Sequence, residues 1–158
     1  MTELFDSKGF FNKLIGSWAG EVKTYFKENE LADKSAVKGT IKLVLEGLFL
    51  IHEYEGILLG EKMIGLAIYG YNQRKNQFEM AWINNKHQGS EIMYSVSKNT
   101  DNKFSVLGHY STNDESEIWG WKTTLDLKSG DNLIISHFNI SPQQHEYLGV
   151  EFNYKRKE

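Results

Sequence analysis

At 158 residues and a formal net charge of −3, the chain has the size of one domain spanning 1–158, and its basic residues lie singly apart from Arg74-Lys75 and Lys155-Arg156-Lys157, which argues against a nucleic-acid groove or a basic membrane face. The absence of cysteine excludes disulfides, thiol chemistry and cysteine-ligated metal centres, and it suits a reducing compartment. Residues 1–6 lack the basic start and apolar core of a signal peptide, and no apolar run approaches the ~18 residues of a membrane span, so the cytoplasm is the expected location.

Aromatic residues make up 13% of the chain and glycine occurs 14 times against one proline, a composition that favours strands and tight turns. The first predicted element is nevertheless a short helix over 7–15, where Phe10, Phe11, Leu14 and Ile15 recur at helical spacing. From Trp18 the pattern changes to period two: Trp18, Gly20, Val22, Thr24 and Phe26 share one face, with Glu21, Lys23 and Lys27 on the other. Polar or glycine-containing breaks then recur at 28–34, 46–47, 59–61, 72–76, 84–89, 98–102, 113–117, 128–132 and 141–144, and nine breaks leave ten strands.

Several faces are legible. Val37, Gly39, Ile41, Leu43 and Leu45 read as inward, as do Phe78, Met80 and Trp82, and Trp119, Trp121, Thr123 and Leu125. Placing Glu53 and Glu55 outside turns His52 and Tyr54 inward beside Leu48 and Leu50. Over 133–140 the more apolar set is Ile134, Ser136, Phe138 and Ile140, which leaves His137 outside. The stretches 63–71, 91–96 and 104–111 are apolar or mixed on both faces and stay unassigned. In the last strand Leu148, Val150, Phe152 and Tyr154 alternate with Glu151, Asn153 and Lys155, which carries Arg156 to the inner face.

Ten short antiparallel strands at near-regular spacing predict an all-β, up-and-down barrel with a short N-terminal helix. Closure removes exposed sheet edges, and ten strands enclose more space than their side chains fill. If the first and last strands pair, Arg156 arrives beside Trp18, where a guanidinium covers an indole face; alternatively Arg156 frays into solvent with its lysine neighbours.

The stretches Leu14 to Gly20 (LIGSWAG), Glu46 to Gly56 (EGLFLIHEYEG), Gly60 to Asn72 (GEKMIGLAIYGYN), the later AWIN and the terminal Tyr154-Lys155-Arg156 together resemble the uncharacterised family called domain of unknown function 1579, a lipocalin-like (calycin) group. The resemblance implies a calycin barrel with Gly16, Trp18 and Arg156 at its closed end. The chain departs from similar sequences in carrying Asn72 and Asn84 where acids are common, and Leu48 where a basic residue often stands.

No nucleophile elbow, zinc-protease motif, phosphate loop or dinucleotide fingerprint is present. His52 and Tyr54 face the same way and offer an imidazole and a phenol to a ligand, or simply pack and bond within the core. Phe78, Met80, Trp82, Trp119, Trp121 and Phe138 compose an aromatic inner wall suited to a lipid or a flat ring, or to core packing alone. The resulting expectation is a binder of a small hydrophobic or amphipathic ligand with no cofactor and no metal. Two rivals remain: a haem protein using His52 or His109, prompted by the similarity of Gly16-x-Trp18-x-Gly20 to the opening of nitrobindins although Val22 replaces a further glycine, and a barrel enzyme with His52 as acid or base. The acidic run 114–117 lacks the spacing of a calcium loop and reads as a hairpin tip. Outward Phe49 and Ile51 suit either a homodimer surface or a helix-packed side.

Overall fold

The computed structural model describes residues 4–87 and 89–158; Met1-Thr2-Glu3, part of the stretch read above for a leader, and Gln88, within the break at 84–89, lie outside the described residues. One helix, α1 (Ser7–Asn12), precedes ten strands: β1 (Gly16–Lys27), β2 (Glu30–Val44), β3 (Phe49–Leu58), β4 (Glu61–Asn72), β5 (Gln77–Asn84), β6 (Met93–Lys98), β7 (Ser105–Ser111), β8 (Ile118–Ser129), β9 (Asn132–Ile140) and β10 (Glu146–Arg156). Each strand pairs antiparallel with its sequence neighbours, and β1 pairs with β10, so the sheet closes into the predicted ten-stranded up-and-down barrel.

The helix is shorter than its periodicity predicts. Asp6 caps it by accepting from the Gly9 amide at 2.9 Å, and the chain leaves the helix after Asn12 so that Phe11 and Leu14 plug the barrel end. Burying those two side chains contributes about 2 kcal/mol each. The Leu14 carbonyl accepts from Trp18 Nε1 at 3.0 Å, which fixes the helix to the first strand. Phe5 and Phe10 complete the plug against Tyr71 and Phe78, with ring centroids 4.9 to 6.2 Å apart.

Closure brings Trp18 opposite Arg156 in register, with the guanidinium 4.3 Å above the indole. The same group donates to the Lys13, Ile15 and Gly130 carbonyls, tying three segments together. Gly16, at φ +151°, makes room for it: a Cβ there would stand 2.6 Å from Nη1. Arg156→Ala therefore lowers stability by about 2 kcal/mol in thermal melts, and Arg156→Lys recovers less than half of that, because an ammonium lacks the planar fork that reaches three carbonyls.

Phe26, Leu45 and Leu48, read as inward, are exposed at strand ends and turns, and the faces of β9 and the start of β10 also differ from the sequence reading. In β9 the inward side chains are Leu133, Ile135, His137 and Asn139, with Ser136 of the other face also buried, so His137 is inside and Phe138 outside, half-buried under the Lys122 ammonium at 4.8 Å. The more apolar set loses because the polar members of the other set find partners inside: His137 Nδ1 shares a hydrogen bond with Thr123 Oγ1 at 2.8 Å, and Asn139 Oδ1 accepts from the Tyr110 hydroxyl at 2.5 Å. In β10 the register slips between Leu148 and Val150; Leu148 consequently pairs with Phe138 on the outer side. At the other hairpin, 30–34 belong to β2 instead of the predicted break: Asn29 at φ 60° makes a tight turn, and the polar strand ends pair beyond the body of the barrel. The unassigned stretches resolve with Met63, Ala67 and Tyr69, Met93 and Ser95, and Phe104 and Val106 buried.

Candidate functional site

The plug and the Trp18–Arg156 cap close one end of the barrel, while the segments at 59–60, 85–87, 89–92 and 112–117 surround the other. A recess of about 910 Å3 opens there. Strands β5 and β8 supply Trp82, Trp119 and Trp121; β1, β7 and β9 add Thr24, Tyr110 and Asn139; and His87 enters from the loop after β5. Inward alternation places each strand residue. His87 is placed by Asn84, whose Oδ1 accepts from the Lys86 and His87 amides at 2.7 and 3.0 Å and so turns the chain back over the opening.

Behind the recess lies a buried polar layer. Tyr54 Oη accepts from Trp82 Nε1 at 2.9 Å and from Asn84 Nδ2 at 2.6 Å. His52 Nε2 and the Tyr154 hydroxyl share a hydrogen bond at 2.9 Å. Burial pushes the His52 pKa down to about 3 and the Tyr54 pKa up to about 12, the latter against the opposing pull of Asn84 and Trp82. Neutral forms thus occupy the middle of the barrel. His137 is likewise driven down to about 3, by burial first and by His87 and His52 second. Its ring stacks with Trp82 and Trp121 at 5.2 and 5.3 Å.

Of the residues singled out from the sequence, Trp82, Trp119 and Trp121 border the recess. His52 and Tyr54 instead sit in the polar layer, engaged with protein partners. Phe78 and Met80 are buried on the same inner face of β5 as Trp82, with Phe78 packed against the plug. Phe138 is on the outer face. Of the histidines named for a haem, His109 is exposed and His52 is bonded to Tyr154; the histidine that borders the recess is His87. Among the described residues no group of three or more His, Asp or Glu is arranged to hold a metal ion. At the hairpin tip, Asp114 Oδ1 accepts from Thr112 and Ser116 and serves its own turn.

Sequence patterning left Tyr110, Asn139 and His87 out of the site. Tyr110 lies in a stretch apolar on both faces, Asn139 on a face judged outward, and His87 in a loop where no periodicity applies. Thr24 was legible as inward, yet nothing local marked it as a recess residue.

A family model described as protein of unknown function (DUF1579) matches residues 6–156, nearly the whole barrel. The chain belongs to that family. No curated protein matches it significantly. The DUF1579 match runs from the helix cap at Asp6 to Arg156, so the polar layer, the recess and all of the plug but Phe5 fall within the family's extent. Among the described residues no helix is long and apolar enough to cross a membrane.

Proposed function

We propose that this DUF1579 member is a lipocalin-like (calycin) binding protein of the cytoplasm, holding a small apolar or amphipathic molecule in the recess at its open end and performing no chemistry on it. The observation that carries this reading is the recess itself, which lies within the size range of small-molecule sites and is walled by three tryptophans. The enzymatic alternative draws no support from His52: a general acid or base must reach its substrate, and this imidazole is bonded to Tyr154 and does not border the recess.

Native mass spectrometry of the gently purified protein is expected to show a bound small-molecule mass that organic extraction removes, and the emptied protein is expected to lose tryptophan emission on titration with apolar ligands. Trp119→Ala, at the rim, weakens that binding by about fivefold, in line with the loss of one aromatic contact. A protein that carries no such mass and whose emission no apolar compound quenches is not a binder of this kind.

A further inference from the structure

Resting on that reading of the recess, the geometry points to a narrower guest: an uncharged, flat ring compound whose carbonyl oxygen takes a hydrogen bond from Trp121. Three features of the wall converge on this class. The Trp82 and Trp121 rings lie within 3° of parallel at 5.7 Å, and His137, behind the recess, lies beside both at 5.2 and 5.3 Å and within 14° of parallel. A planar guest continues such a stack with its full face, whereas a flexible chain meets it along an edge.

Charge is the second feature. The ionic groups bordering the recess, Glu61, Lys86 and Glu91, stand at its rim, and Lys86 is already paired with Glu61. His87 stays neutral because burial lowers its pKa to about 4. A carboxylate drawn inside would meet no unpaired cation, and an unpaired buried charge is heavily penalised.

The third feature is a set of unmet polar atoms. Trp121 Nε1, Thr24 Oγ1 and His87 Nε2 are each shielded from solvent, and among the described residues each is without a hydrogen-bond partner. All three residues border the same recess. Buried polar atoms rarely go unpaired. A guest entering along the wall and turning the indole through a small angle relieves that cost. The indole N–H only donates, so what it lacks is an acceptor, and the threonine hydroxyl is a second donor bordering the same recess.

Fluorenone and fluorene differ by a carbonyl in place of a methylene on the same flat frame, and dodecanoic acid supplies the charged, flexible contrast. Calorimetry or tryptophan quenching on the emptied protein is expected to rank fluorenone about tenfold or more above fluorene, with dodecanoic acid weaker than fluorenone. Trp121→Phe keeps a ring and removes the donor, which brings the fluorenone preference within about twofold while fluorene binding is retained. Thr24→Val, which deletes an unpartnered hydroxyl and folds at least as stably, narrows the preference in the same direction and decides the matter if Trp121→Phe does not fold. Equal binding of the two ring compounds, a preference that survives the substitutions, or tighter binding of dodecanoic acid overturns this inference and leaves the binding reading standing. Failure of all three compounds to bind overturns this inference, and together with the absence of any co-purified mass it removes the binding reading as well.

Discussion

Bringing the protein from about pH 7 to about pH 5 is expected to cost about 4 kcal/mol of stability, a large part of what a domain of this size holds. His52 and His137 are almost wholly buried, and burial lowers both folded-state pKa values from 6.5 to about 3. Above the unfolded value both states are neutral and the full stability is present. As the pH falls below 6.5 the unfolded chain takes up protons that the folded chain refuses, so stability is lost at about 1.4 kcal/mol per pH unit for each histidine until the folded groups themselves titrate near 3. His87, lowered to about 4, acts in the same direction. Urea denaturation midpoints measured across this range show the slope. His137→Gln, whose amide can still bond Thr123, should remove about a third of it, leaving the shares of His52 and His87. A midpoint that stays constant down to about pH 5 would show that these imidazoles are not held neutral inside the barrel.

Gly20→Ala is the substitution expected to hurt the fold most. Gly20 faces Tyr154 across the β1–β10 seam, and a Cβ at that position would stand 1.9 Å from the Asn153 carbonyl oxygen and 2.9 Å from its carbon. Backbone cannot swing aside as a side-chain end can, so β1 must withdraw from β10 at the junction that closes the barrel. Overpacking of this severity costs about 3 kcal/mol, which lowers the melting temperature by about 6–12 °C. Gly130→Ala is the control: nothing stands within 4 Å of its Cβ, and its melt should stay within about 1–2 °C of the unsubstituted protein. Equal melts for the two variants would mean that β1 and β10 do not approach as closely as described.

Ile64, Ile68, Ile83 and Tyr94 are exposed on adjacent strands β4, β5 and β6. Their apolar outward faces are why alternation failed to orient 63–71 and 91–96: when both faces of a strand are apolar, period two carries no sign.

Ten strands, their turns and the meeting of Trp18 with Arg156 were legible in the chain because turn chemistry and clean alternation are local properties, and because a closed meander leaves the two ends nowhere else to pair. The inward face of β9 was not legible. His137 and Asn139 lie inside because Thr123 and Tyr110 await them on β8 and β7, and a polar residue's partner across the barrel leaves no trace in its own segment. The slip at Gly149 moved Leu148 outward for a similar reason, since a bulge is set by the strand alongside. Local pattern thus determined the vessel, while the recess, the neutral polar layer behind it and the unmet donors in its wall came only from tertiary structure, because each depends on which side chains from distant strands arrive within hydrogen-bonding or stacking distance.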